Sequence, residues 1–223
     1  MLKIIDNFLN KSYHKEILEL MNSWDFPWYY NSNISYESGR APGDTDQRLY
    51  ETGFSHVFFD YRDGGLRDSS YAWFWKPGLT QIQDAANQET IVRSRGDMTM
   101  HTHEPFEHDP HIDFSFKNIS TILYINDSSG DTIFYKEKVN EYKDIAHLKT
   151  LHEKDKVTPK ANRLVMFEGD YVHTGSSPHL HKNRILINSN FINGQIPRNA
   201  PRKWEDKYTD YLYKLQWMFI KII

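Results

Sequence analysis

Between residues 90 and 191 the chain is broken into short runs of β-branched and aromatic residues, most of them bounded by turn signals. The runs are Ile91–Arg95, Met98–His101, Ser120–Ile125, Thr132–Tyr135, Arg163–Phe167 and Arg184–Asn188. Ser129-Gly130-Asp131 and Glu168-Gly169-Asp170 supply two of the turns. A strand of four to six residues buries little by itself and needs partners on both sides. Many such strands at regular spacing pack as a sandwich or jelly roll. The predicted fold is therefore mostly β with flanking helices, around a sandwich or jelly-roll core.

The flanks read differently. Residues 2–5 predict a short strand, and Asn10 can cap a helix running to about Asn22. Its apolar positions Tyr13, Ile17, Leu18, Leu20, Met21 and Trp24 fall near the helical period. Residues 25–50 read as an irregular, aromatic-rich loop, Phe26 to Asn31 and then Gly39 to Asp46 with Pro42-Gly43. Residues 54–88 hold a second aromatic cluster, including Phe58, Phe59, Trp73 and Trp75, broken at Gly64 and Gly65. A helical core is expected there. Residues 136–157 are charged and predict a surface excursion. Trp204, Tyr208, Tyr211, Leu212, Leu215, Met218 and Phe219 form one apolar stripe of a C-terminal helix, expected to cover the sheet. At 223 residues the expectation is one domain: helical and loop support over 1–89, a jelly-roll core over 90–191 and a closing helix over 192–223.

Composition narrows the chemistry. The formal net charge is −3 and the sequence pI about 6.4, so nothing here gathers nucleic acid by a broad positive field, and no nucleic-acid partner is expected. There are no cysteines, so disulfides, thiolate metal sites and cysteine nucleophiles are excluded. A metal would have to be held by His, Asp or Glu, and 11 histidines are available. Residues 1–6 do not read as a signal peptide, and no stretch approaches the roughly 20 apolar residues that cross a bilayer. A cytoplasmic location without membrane association is the expectation.

The chemistry-bearing pattern is His111-Ile112-Asp113, then His173, then Arg184. In a strand, residues i and i+2 point to one face, so His111 and Asp113 can reach one ion. His173, near the end of a distant strand, can add a third ligand. Two imidazoles and one carboxylate leave positions open on the ion, the facial arrangement of oxygen-activating Fe(II) sites. Arg184 opens a strand and is suited to a bidentate grip on a carboxylate. Tyr124 offers a phenol donor, and Asn188, four residues after Arg184, faces the same way. His101 and His103 form another i, i+2 pair, and His108 stands near His111; they could bind a metal or line a pocket lip. His179 and His181 fall in a polar turn close to Arg184.

With these landmarks in order, residues 90–191 resemble the catalytic core of the 2-oxoglutarate/Fe(II) dioxygenases, in the prolyl-hydroxylase-like branch. Beside the His-x-Asp, Thr121 to Asn126 is similar to that family's Thr-x-x-Tyr-Leu-Asn strand. Gly130-Asp131-Thr132-Ile133-Phe134 resembles its Gly-Gly-x-Thr-x-Phe turn and strand. Thr158-Pro159 through Phe167 resembles its approach to the distal histidine, and Asp6-Asn7-Phe8-Leu9 its strand-to-helix entry. Two positions depart: Ser129 stands where the first glycine is usual, and Asn162 replaces the glycine before the last core strand. The resemblance implies a double-stranded β-helix (jelly-roll, cupin-like) core, and Fe(II) on His111, Asp113 and His173, with 2-oxoglutarate as a small-molecule co-substrate and O2 as oxidant. Arg184 and Tyr124 would take the distal carboxylate, and Asn188 would line the pocket. The implied reaction is hydroxylation of a primary substrate, peptide or small molecule. Two other readings stay open: a cupin-like metal-binding protein without 2-oxoglutarate turnover, and another metal-dependent enzyme on the same scaffold.

Overall fold

The structure is a computed structural model, and it describes residues 2–35, 50–62 and 65–197. The expected features at Gly39 to Asp46, at Gly64 and along the stripe Trp204 to Phe219 lie outside these residues. In chain order the elements are β1 (Leu2–Ile5), α1 (Lys11–Met21), β2 (Tyr29–Asn31), β3 (Gly53–Arg62), β4 (Gly65–Asp68), α2 (Ala72–Ala86), β5 (Thr90–Met100), β6 (Phe106–Glu107), β7 (Ile119–Tyr124), β8 (Thr132–Lys138), β9 (Glu153–Val157), β10 (Arg163–Glu168), β11 (Tyr171–Ser177) and β12 (Asn183–Ile192). A larger sheet runs β1-β10-β7-β12-β5-β3-β2, with β4 also on β3, and a smaller one runs β6-β11-β8-β9. All ladders are antiparallel. The two sheets face each other as a jelly-roll core.

Period-2 alternation sorts the side chains into layers. On β7, Leu123 and Ile125 just beyond it point outward, and on β12 Ile185 and Ile187 do the same. They meet Ile17 and Met21 of α1 and Trp75, Leu79 and Ile82 of α2. The alternate residues, Ile122, Tyr124 and Leu186, turn inward against Phe134 and Val157 of the smaller sheet. The helix α1 starts where expected, because the Asn10 side chain accepts from Ser12 N at 2.9 Å.

Three expectations change. Residues 53–62 are strand, not helical core. A bulge between Val57 and Phe59 lets both Phe58 and Phe59 be buried, and this doubled apolar position hides the period of two. The runs at 91–95 and 98–101 are one strand, β5. Gly96 within it lets α1 approach, since a Cβ there would lie 2.8 Å from Met21 Cε. The charged stretch 136–157 is only partly a surface excursion. It completes β8, forms the edge strand β9, and buries Ile145 fully against Val172 and Ile133.

The two departures from the family pattern have structural reasons. Asn162 adopts φ 63°, a left-handed conformation that asparagine tolerates. Its amide bonds both Leu9 N and Leu9 O at 2.8 Å, tying the strand-to-helix entry to the core. Ser129 Oγ accepts from His179 N and Leu180 N at 3.2 and 2.9 Å, fastening the turn before β12. The following Gly130 is required, because a Cβ there would sit 2.2 Å from Ser176 O.

His56 on β3 is buried among Phe26, Phe58 and Tyr71. Its Nδ1 faces Pro27 O at 3.1 Å, so it carries the ring proton, and Ser69 Oγ donates to Nε2 at 2.9 Å. Burial pushes its pKa down to about 4, against the smaller opposing pull of the Pro27 carbonyl. The folded state thus releases a proton that the unfolded chain binds below about pH 6.5. Stability should fall as pH drops from about 6.5 towards 4, by about 3 kcal/mol from this residue. Urea unfolding across that window should show a steeper loss for wild type than for His56→Gln; equal slopes would remove His56 from the effect.

Candidate metal centre

The cleft between the sheets has a polar floor built from two neighbouring strands. On β12 the inward residues are Arg184, Leu186, Asn188 and Asn190; opposite them on β5 stand Thr99, Asp97, Arg95 and Arg93. Pure strand chemistry would place so many polar residues towards water. Here all but Arg93 and Asn190 line a cavity of about 650 Å3, open to solvent.

His111, Asp113 and His173 come together at one end of this cleft, with their ligand atoms all within 4.8 Å of one another. Among the described residues no other His, Asp or Glu group gathers in this way. His101 and His103 are exposed, and His108 is instead buried in the cleft wall. There His108 Nε2 lies 3.0 Å from Ser177 Oγ and Nδ1 lies 3.2 Å from Glu51 Oε2.

The backbone delivers the ligands differently from the strand argument. His173 lies inside β11, not at a strand end, and His111 is outside any ladder. His111 makes an isolated bridge to His173, N to O at 2.8 Å and O from N at 2.9 Å. That bridge sets the two rings 4.7 Å apart. His111 Nδ1 faces Asp109 O at 3.1 Å, and His173 Nδ1 faces Tyr171 O at 3.0 Å. A carbonyl only accepts, so both Nδ1 atoms carry the proton and both Nε2 lone pairs are left to bind a metal. His173 Nε2 lies 4.0 Å from Asp113 Oδ2.

Asp113 is nearly fully buried and held on both oxygens. Ser120 Oγ, Asn188 Nδ2 and Asn190 Nδ2 donate to Oδ2 at 3.2, 3.2 and 3.0 Å, and Arg93 Nη2 donates to Oδ1 at 3.3 Å. Asn188 lines the cleft, as its register with Arg184 required, and its amide is directed at Asp113. Arg93, Ser120 and Asn190 were not anticipated. For Arg93 the signal was the polar alternation Arg93-x-Arg95-x-Asp97-x-Thr99 within a strand, and for Asn190 the register it shares with Arg184 and Asn188; Ser120 had none.

Arg184 occupies the other end of the floor, four residues from Asn188 and so about 13 Å along the strand. Its side chain is buried, and burial pulls its pKa below the usual arginine value. Nη2 donates to Thr132 Oγ1 at 2.6 Å, and the guanidinium stands over the Tyr124 ring at 5.5 Å. Among the described residues it has no carboxylate within 4 Å, and its Nε has no hydrogen-bond partner. Thr99 Oγ1, on the residue paired with Arg184 across the strands, is likewise buried without a partner. Gly175 keeps space beside the guanidinium, since a Cβ there would come 3.1 Å from Nη1. Tyr124 is fully buried behind Arg184, and its hydroxyl donates to Thr132 Oγ1 at 2.6 Å. Burial raises its pKa.

No protein-family model and no curated protein sequence matches the chain. Solved structures do. An oxidoreductase of the 2OG-Fe(II) oxygenase family from Burkholderia pseudomallei superposes with TM-score 0.58 at 8% identity, covering 91% of this chain and 88% of that one. The non-heme alpha ketoglutarate dependent epimerase SnoN of nogalamycin biosynthesis gives 0.56 at 11% identity, over 86% and 77% of the two chains. It is also described in complex with Fe3+, alpha ketoglutarate and nogalamycin RO. A prolyl hydroxylase from Trichoplax adhaerens, in complex with a peptide fragment, gives 0.52 at 14% identity over 86% and 83%. The architecture is thus the one found in 2-oxoglutarate/Fe(II) oxygenases. No helix among the described residues is long and apolar enough to cross a membrane.

Proposed function

We propose that this protein is an Fe(II)- and 2-oxoglutarate-dependent dioxygenase that hydroxylates its primary substrate. One observation carries the reading. A buried arginine that meets no carboxylate within 4 Å among the described residues shares a cleft with a largely buried His-Asp-His cluster. A buried cation is costly unless an anion meets it, so the cleft is built to receive one. A bare metal-binding site would need no such cation.

The donor set fits Fe(II), and the unpartnered donors near Arg184 fit a carboxylate. His111, Asp113 and His173 would hold the metal on one face and leave the others open. With metal and co-substrate bound, the site supplies oxidative decarboxylation of 2-oxoglutarate by O2, coupled to oxidation of the substrate. The protein's own residues orient and shield that chemistry. Arg184 pairs with the distal carboxylate. Thr132 Oγ1 already accepts from both Arg184 and Tyr124, so its hydroxyl proton is left to donate into the cleft. Thr99 supplies a second hydroxyl beside Arg184. Tyr124 therefore acts through Thr132, fixing that hydroxyl instead of touching the ligand. Ile122 and Leu186 line the cleft between the two ends and keep water from its floor. The prolyl hydroxylase and SnoN support two substrate classes, peptide and small molecule.

This division of labour has a measurable consequence. Thr132→Val should weaken 2-oxoglutarate by about 1.5–3 kcal/mol, the worth of hydrogen bonds to a charged group. Tyr124→Phe should cost less, about 1 kcal/mol. Affinities from absorbance titration would check the order, and a larger effect at Tyr124 would put the phenol in direct contact.

Anaerobic titration of the protein with Fe(II) and then 2-oxoglutarate tests the reading as a whole. A weak visible charge-transfer band requiring both components is expected, followed by succinate release in air. Metal binding without the band, and without succinate, would make the protein a metal binder of the same fold.

A further inference from the structure

Asp113 has a structural problem that the two histidines do not share. His173 is fixed by its ladder and His111 by the bridge to it. Asp113 follows in a bend, outside every strand, so the sheet does not dictate where its carboxylate points. The cluster around it does. Arg93 Nη2 lies 3.3 Å from Asp113 Oδ1, from Asn188 Oδ1 and from Asn190 Oδ1. Each of those asparagines gives its amide nitrogen to Asp113 Oδ2. The result is a closed ring: guanidinium to amide oxygen, amide nitrogen to carboxylate, carboxylate back to guanidinium. Ser120 Oγ joins it, accepting from Asn190 Nδ2 at 2.9 Å and sharing its one proton between Asp113 Oδ2 at 3.2 Å and Asn118 Oδ1 at 3.0 Å. The guanidinium lies 4.9 Å from the centre of the Phe114 ring, one residue beyond Asp113, and the Arg93 and Asp113 side chains are 3% and 4% exposed.

We infer that Arg93 is a positioning residue for the metal ligand Asp113, which it fixes through the Asn188–Asn190 pair so that the carboxylate meets the ion in a single orientation. The inference rests on the metal-centre reading above. Its chemistry is that of a shared donor: one guanidinium nitrogen, held in the fixed plane of the group, reaches one carboxylate oxygen and two amide oxygens, and those two amides hold the other carboxylate oxygen. Lysine offers the charge on a flexible stem without that fixed plane. A charge that only neutralised Asp113 would compete with the ion. A residue that orients Asp113 helps it.

Cobalt(II) is stable in air and coloured, so it reports affinity and geometry together. Wild type, Arg93→Met and Arg93→Lys would be titrated with Co(II), with circular dichroism as the check on folding. Arg93→Met should bind Co(II) 10- to 100-fold more weakly, the usual cost of losing a partner of a metal ligand. Its visible bands should change in position and intensity, because a released carboxylate alters the coordination. Arg93→Lys should restore part of the affinity but not the wild-type spectrum. Wild-type affinity and spectrum in Arg93→Met, or tighter binding, would overturn the inference. If Arg93→Met does not fold, Ser120→Ala carries the test, with weaker Co(II) binding and a shifted spectrum expected and no change overturning it. Wild type that binds no Co(II) would instead remove the metal-centre reading beneath both.

Discussion

His111→Ala and Asp113→Ala should both abolish Fe(II) binding and all dependent succinate release, but they should differ in what they do to the apoprotein. Each would remove one of the three proposed ligands of a site that already leaves coordination positions open. Removing His111 deletes a partly exposed ring that faces Asp109 O and packs 4.7 Å from the His173 ring, so the fold should be affected less than by loss of the buried Asp113. Removing Asp113 leaves Arg93 as a buried charge without this partner, and strips an acceptor from Ser120, Asn188 and Asn190. Breaking one side of a buried ion pair costs about 3–5 kcal/mol. Thermal melting without metal should therefore fall sharply for Asp113→Ala and hardly move for His111→Ala. A variant that kept full Fe(II) affinity would refute the assigned triad. An unchanged melting temperature for Asp113→Ala would mean that the surrounding ring does not depend on it.

Arg184→Met should show the opposite pattern. In the proposed complex with 2-oxoglutarate, Arg184 would be one half of a buried, hydrogen-bonded charge pair, and truncating such a half costs about 2–5 kcal/mol. The middle of that range, about 3 kcal/mol, is a loss of roughly two orders of magnitude in affinity. Without ligand, Arg184 is a buried cation with no carboxylate within 4 Å among the described residues, so the apoprotein should be no less stable, or more so, when a methionine fills the space. Fe(II) binding alone should persist. Co-substrate titration of the Fe(II)-loaded variant, beside a melting curve of the apo form, reads both halves. Unchanged co-substrate affinity would return Arg184 to a structural role. Read together, the two variants separate a carboxylate held by the fold from an arginine whose proposed partner is a ligand.

Much of this was legible in the sequence because it depends on neighbours in the chain. The short turn-bounded runs specified β7, β8, β10 and β12, and the Asn10 cap specified α1. His-x-Asp, a later histidine and Arg184 marked the two ends of the cleft, since ligand type and chain order survive without coordinates. Local patterns failed where one residue upsets them. The bulge in β3 turned a strand into an apparent aromatic cluster, and Gly96 split β5 into two apparent runs.

Other features belong to tertiary structure because their partners are far apart in the chain. Nothing near Asp113 in sequence says that Arg93, Asn188 and Asn190 will encircle it; they come from strands 20 to 77 residues away. Nothing near Tyr124 says that its hydroxyl will turn to Thr132 instead of the cleft. The sequence by itself determined which elements form and which chemical groups are available. Only the packing of the two sheets decided where those groups point, because a side chain's direction in a cleft depends on register and burial across strands, and neither is written in any single segment.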